Sequence, residues 1–237
     1  MRLSDFQVLS FDCYGTLIAW EAGLTAALQP LADRSGHAPA ALLERFGPLE
    51  HAAEKEQPSL KYSALLELVH GRLAEEVGAA ADPDAARRFG ASVGDWPAFP
   101  DVPEALRYLK QHFRLVILSN VDRASFAHSN ERLGVEFDFV FTAEEIGSYK
   151  PDVRNFRYML DRLREAGLDG SRLLHVAQSL FHDHAPANRL GLPSAWIDRR
   201  AGKTGAGATP VPESMPQFDF RFTSLGALAE AHRAELA

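Results

Sequence analysis

Several things are scarce in this sequence. Among its 237 residues there is one cysteine, Cys13, so no intrachain disulfide can form. That fits a reducing compartment. No stretch approaches the roughly 20 apolar residues of a membrane span, and the opening MRLSDFQVLSFD lacks an apolar signal core. A cytoplasmic protein is expected. Positive charge is also short: 25 Lys and Arg face 32 Asp and Glu, a net charge of −7. Binders of nucleic acid or anionic membranes usually carry the opposite excess, so neither partner is expected. No internal repeat is found. What remains is ordinary globular composition, 46% hydrophobic and 24% charged, which argues against disorder and low-complexity structure. The length suits one α/β domain with an insertion, or two small domains.

Short apolar runs closed by turn residues read as buried strands. The first is Val8-Leu9-Ser10-Phe11, followed by Asp12-Cys13-Tyr14-Gly15. Others are Leu115 to Leu118, Phe139 to Phe141, Leu173 to Val176 and Ser194 to Ile197, with Phe218 to Phe222 as an edge strand. Helical patterns alternate with the later runs. Asp101 is read as the cap of a helix carrying Ala105, Leu106 and Leu109. Asp152 is read as the cap of one carrying Phe156, Met159, Leu160 and Leu163, stopped by Gly167. This alternation predicts a parallel sheet with helices on both faces.

Residues 19–96 break the alternation, because they hold no convincing strand. Leu24, Leu28 and Leu31 are spaced for a helix that Pro30 should end or kink. Tyr62, Leu65, Leu66, Val69, Leu73 and Val77 form a second helical stripe, and Asp82-Pro83 marks another helix start. An all-helical insertion is expected over 19–96, with a core domain over 1–18 and 97–237. The Gly- and Pro-rich stretch from Gly202 to Pro216 reads as a loop, either a solvated one or an active-site flap.

Four spots with chemical potential each follow a core strand: Asp12 to Leu17, Ser119-Asn120, Lys150-Pro151 and Gln178 to Asp183. Ligands of open parallel sheets bind at the carboxyl ends of the strands, so the four spots converge on one site. In this order, with a helical insert after the first, the chain resembles the haloacid dehalogenase superfamily. The resemblance covers nearly the whole chain. It implies an α/β fold with a Rossmann-like parallel-sheet core and an inserted all-helical cap domain. It also implies a catalytic set. Asp12 matches the nucleophile, Ser119 the hydroxyl that holds substrate or intermediate, Lys150 the neutralising cation, and Asp183 the last acid of the fourth motif.

Two departures shape the chemistry. The metal-dependent phosphatases of the family carry a second Asp two residues after the nucleophile, where this chain has Tyr14. They also have Gly-Asp where this chain has Ala177-Gln178. Magnesium prefers carboxylate and water oxygens, so the site is a poor magnesium cage and no metal or cofactor is expected. A tyrosine, with an ordinary pKa near 10, is also poorly suited to protonating a leaving alkoxide. The pattern therefore favours a small monoanionic carboxylate whose leaving group needs no enzymatic proton, such as halide or a protonated amine.

Asp-x-Tyr-Gly-Thr is similar to the type II 2-haloacid dehalogenases. In these enzymes the Asp attacks C2 of a 2-substituted acid, and water then hydrolyses the ester. Their cap arginine has no clear counterpart near Phe46 to His51, where Arg45 and Lys61 are the candidates. Where they have a Ser-Ser-Asn run the fourth motif here is Gln178-Ser179, and Phe156 stands where they have Tyr. Closer still is the resemblance to the (S)-azetidine-2-carboxylate hydrolases. It rests on Phe11 to Ile18, Trp96 to Asp101, Gly147 to Pro151, His182-Asp183-His184, Ser194 to Ile197 and Asp219 to Phe222. The reaction implied opens the ring to 4-amino-2-hydroxybutyrate. A homodimer is implied as well.

On the same resemblance, Tyr14, Thr16, Trp20, Asn120, Gln178, Ser179 and Tyr62 are the substrate-binding candidates. Tyr14 and Trp20 fit pocket walls and cap-core packing equally, and Tyr62 is most simply core. Cys13 is read as packing rather than chemistry. His182 and His184 lack an evident third metal ligand and are read as orienting Asp183 or edging the pocket. A phosphatase with a degraded metal site and a non-catalytic binding protein on the same fold are the competing readings.

Overall fold

The computed structural model describes residues 1–202, 208–210 and 212–237. Six strands, β1 (Val8–Phe11), β2 (Arg114–Ser119), β3 (Phe139–Thr142), β4 (Leu173–Ala177), β5 (Ser194–Ile197) and β6 (Phe220–Phe222), form one sheet in the order β3-β2-β1-β4-β5-β6. Every pairing is parallel. All four residues of β1 are buried, as expected of a central strand covered on both faces.

Alternate residues of the strands feed two cores. Val8, Val116 and Leu118 pack with Phe156, Met159 and Leu163 of the helix Val153–Glu165 on one face. Leu9, Phe11, Leu115 and Ile117 pack on the other, with Leu106 of the helix Val102–Leu109 and Leu228 of the last helix, Leu225–Leu236. Each such fully buried side chain contributes about 1.5–3 kcal/mol. Asp152 caps its helix by accepting from the Arg154 amide, as the sequence predicts.

The insertion is helical: α1 (Trp20–Ser35), α2 (Pro39–Glu56), α3 (Tyr62–Glu76) and α4 (Pro83–Ala91). Its two connections to the core are laced together. The Ala19 amide donates to Pro97 O at 2.8 Å and the Phe99 amide to Leu17 O at 3.0 Å. Pro30 does not end α1, which runs on to Ser35. Leu24 and Leu28 before it and Leu31 after it are all buried. Packing on both sides of the proline outweighs the lost backbone bond.

A second expectation is corrected at Asp101. It makes no side-chain cap for the helix that follows it. Its carboxylate instead accepts the Leu225 and Gly226 amides at the start of the last helix and the Arg199 guanidinium at 2.7 Å. Arg199 lies over the Phe99 ring at 4.0 Å and donates twice to Thr16 O, at 2.8 and 3.1 Å. Among the described residues, no helix is long and apolar enough to cross a membrane.

Candidate active site

The strand order reverses around β1, whose neighbours are β2 and β4. The crevice at such a switch point lies beyond the strand carboxyl ends. The residues immediately after β1 and β4 and at the end of β2 meet there. Gly15 has φ +96°, a value that an L residue adopts only with strain. It turns the chain sharply after Asp12, and a Cβ at this position would lie 2.8 Å from Trp20 Nε1.

At the bottom of the crevice Lys150 is almost wholly buried. Its Nζ donates to Asp12 Oδ1 at 2.9 Å, Asp183 Oδ1 at 2.7 Å and Leu118 O at 2.9 Å. Three acceptors for three ammonium protons leave the cation fully bonded. The other Asp12 oxygen accepts from Thr16 Oγ1 at 2.6 Å. Thr16 also accepts the Gln178 amide at 2.9 Å. It is fully buried and does not line the pocket; it braces the Asp12 carboxylate from behind.

Burial raises the Asp12 carboxyl, Lys150 opposes that, and Asp183 adds to it. Burial acts on Asp183 in the same direction, but Lys150 and His175 outweigh it and hold that carboxyl below its usual range. Burial works against the Lys150 charge, yet the flanking carboxylates prevail and lift it to about 12. His175 Nε2 lies 3.0 Å from Asp183 Oδ1, and its Nδ1 lies 2.9 Å from Ser10 Oγ. This histidine, and not a neighbour of Asp183 in sequence, orients the acid. The signal was present: His175 is the sole polar residue of the buried run Leu173 to Ala177, and a buried imidazole requires partners.

The pocket above is lined by Asp12, Tyr14, Trp20, Tyr62, Ser119, Asn120, Lys150, Gln178, Ser179 and Asp183, all named from the sequence. Glu50, Glu54, His182, Thr209 and Pro210 join them without having been singled out as substrate residues. The cavity volume is about 50 Å³, room for a molecule of a few heavy atoms. Ser119 Oγ is buried with no partner among the described residues, so it is free to bond a ligand. Asn120 pins the Lys150 backbone from both sides, accepting its amide at 2.7 Å and donating to its carbonyl at 3.0 Å. Ser179 accepts the His182 amide at 2.9 Å and starts the π-helical turn Leu180–His184.

The cap contributes carboxyl groups where a guanidinium was sought. Arg45 pairs with Glu76, and Lys61 with Glu144. Neither lines the pocket. Glu50 accepts from the Tyr62 hydroxyl at 2.6 Å, and Glu54 accepts from Asn120 Nδ2 at 3.1 Å. Burial lifts Glu50 to about 7, and burial together with Glu50 lifts Glu54 well above its ordinary value.

Of the Gly202–Pro216 loop, residues 203–207 and 211 lie outside the described residues. Its described part, Ala208 to Pro210, is not a solvated loop. Ala208 is buried and its amide donates to Glu21 at 3.1 Å. Ala208 O also sits where a Gly47 side chain would be, 2.2 Å from an ideal Cβ.

The donor set does not suit magnesium, which prefers carboxylate and water oxygens. Tyr14 directs its hydroxyl to Ser129 Oγ at 2.9 Å, and burial raises the phenol well above its usual range. Gln178 replaces a carboxylate, and Asp183 Oδ1 is held by Lys150 and His175, while its Oδ2 is buried with no partner among the described residues. His184 faces away from the pocket, toward Ser194 Oγ and Ala177 O.

Residues 6–180 match the model of the haloacid dehalogenase-like hydrolases. The chain belongs to that hydrolase family. No curated protein matches it in sequence. The structure is similar to the L-2-haloacid dehalogenase of Xanthobacter autotrophicus, with TM-score 0.80 and 17% identity over 97% of this chain and 99% of the other. It is also similar to the L-2-haloacid dehalogenase PA0810, with TM-score 0.77 and 23% identity over 98% and 100%. A magnesium-bound HAD-hydrolase, YfnB of Bacillus subtilis, shares the fold too, with TM-score 0.76 and 17% identity over 98% and 100%. These likenesses establish the fold of the family, cap included.

Proposed function

We propose that this family member displaces the substituent at C2 of a small carboxylate through an aspartyl ester and needs no metal ion. The observation that carries the reading is the fully bonded Lys150 between Asp12 and Asp183. A fixed cation stands beside the nucleophile where a phosphatase would need a metal. An Asp12 oxygen attacks C2, and the C2–substituent bond breaks with its electron pair leaving on the substituent. Water then adds to the Asp12 carbonyl carbon. The acyl bond breaks, the product leaves as the 2-hydroxy acid, and Asp12 is regenerated. Ser119 Oγ, buried and without a partner among the described residues, supplies a hydrogen bond to the substrate carboxylate.

Two leaving groups compete. Halide has the support of the L-2-haloacid dehalogenases with the same fold. A ring amine, as in (S)-azetidine-2-carboxylate, has the support of Glu50 and Glu54. Two carboxyl groups on the cap side of a pocket that shows no guanidinium among the described residues suit a substrate with a cationic nitrogen. That nitrogen leaves without an enzymatic proton, and ring strain assists it.

The test is product analysis with 2-chloropropionate and azetidine-2-carboxylate side by side, with EDTA present. Formation of a 2-hydroxy acid from either supports the reaction class and identifies the leaving group. Turnover that stops in EDTA and returns with magnesium overturns the metal-free reading.

A further inference from the structure

We propose that His51, Glu54 and His182 form a binding site for a divalent transition-metal ion of the zinc class, one that fastens the cap to the core beside the pocket. His51 and Glu54 are one turn apart on α2, on the same face. His182 comes from the core, on the π-helical turn after β4. One ligand atom from each residue lies within 4.8 Å of the other two.

Two independent atoms point into this space. His51 Nδ1 and His182 Nε2 are buried and have no hydrogen-bond partner among the described residues. Each lies 4.0 Å from the same oxygen, Glu54 Oε2. Buried polar atoms rarely go unpaired, and here both orphans converge on a carboxylate. Bonds of about 2.1 Å to a tetrahedral ion would bring such atoms to about 3.4 Å apart. The required contraction is within reach of small side-chain rotations.

The surroundings fit a ligand set. His182 Nδ1 lies 3.2 Å from Ser179 Oγ, which leaves Nε2 as the outward nitrogen. The second Glu54 oxygen is held by Asn120. Such outer contacts orient metal-binding side chains. His51 rests edge-on against Phe181 at 5.1 Å. A second cavity, lined by His51, Glu54, Pro58 and Tyr149, offers the ion a way in. Imidazole and carboxylate donors suit zinc, and three protein ligands leave a fourth position open. Glu54 and His182 also line the substrate pocket, so an ion here would compete with substrate. The site is distinct from Asp12 and Asp183, and its role is to lock the cap and not to support the reaction.

The experiment uses metal-free full-length protein and zinc chloride. Isothermal titration should give one ion per chain, and the thermal midpoint should rise with zinc. Cobalt(II) in its place should give the strong visible band of a tetrahedral site. H51A and H182A should each abolish the stoichiometric uptake and the cobalt band, whereas H112A should not. H51A should also turn over normally in EDTA, because His51 does not line the substrate pocket. Zinc should inhibit the wild-type enzyme reversibly and leave H51A unaffected. The binding readouts stand even if the proposed reaction fails. Absence of stoichiometric uptake, uptake that survives both H51A and H182A, or loss in H112A would each overturn the proposal.

Discussion

Lys150 donates to Asp183 at 2.7 Å while donating to Asp12 at 2.9 Å, so one buried ammonium bridges two buried carboxylates. Removing it leaves two negative charges with no counter-ion in a desolvated crevice. Lys150→Ala is therefore expected to destabilise the fold by about 3–5 kcal/mol as well as to abolish turnover. Thermal unfolding checks it, and an unchanged midpoint would refute the ion-bridge account.

Alkaline stability follows from the same cation. The Lys150 pKa is raised from 10.5 to about 12 in the fold. A raised basic group contributes stability that is complete below its unfolded value. That stability is lost as pH rises through the folded value. The shift corresponds to about 2 kcal/mol, present up to about pH 10.5 and gone above about pH 12. Urea midpoints measured across that range should fall in wild type. They should fall less in Lys150→Met.

The route of oxygen distinguishes the ester from direct attack by water. A single turnover in ¹⁸O water, with enzyme in excess, should label the peptide containing Asp12 and leave the product unlabelled. Backside attack should invert configuration at C2. Asp12→Asn should stay unlabelled, because an amide is a poor nucleophile, while Cys13→Ala, which alters only a buried packing residue, should label normally. Label in the first-turnover product alone would leave Asp12 as a base.

Glu54→Gln separates the two leaving groups. If a cationic nitrogen is held between Glu50 and Glu54, KM for azetidine-2-carboxylate should rise about tenfold or more. KM for 2-chloropropionate should hold, since burial and Glu50 already favour the uncharged form of Glu54 beside an anionic substrate. Parallel changes for both substrates would remove the amine-binding role.

Gly47→Ala tests the described end of the Gly- and Pro-rich loop. The new methyl would sit 2.2 Å from Ala208 O, so the loop must shift. Thr209 and Pro210, two pocket residues away from every strand end, move with it. KM should rise several-fold with the thermal midpoint little changed. Unaltered kinetics would show that the loop does not shape the pocket.

Asp12, Ser119 and Gln178 to Asp183 were legible because they lie at or just after the ends of β1, β2 and β4, and strand periodicity is written locally in the sequence; Lys150 does not follow β3 directly, since the helix Ala143–Ile146 intervenes. The sheet and the helical insertion were legible for the same reason. Glu50, Glu54 and His51 were not, because α2 reaches the crevice only after the cap folds over the core. No local pattern records that crossing. Nor could the sequence choose between Asp101's own helix and the last helix as the partner of its carboxylate. Pro30 does not end its helix, because its local cost is outweighed by packing from residues on both sides.

Arg199 gives distant parts of the chain leverage over Asp12. The last helix seats on Asp101, Asp101 on Arg199, and Arg199 on the carbonyl of Thr16, whose hydroxyl touches Asp12. Evolution can therefore retune the Asp12 turn from Leu225 or Gly226 without altering any pocket residue. A comparison confined to pocket residues would score such a variant as unchanged. Grafting the pocket onto another member of the family would need this buttress to travel with it.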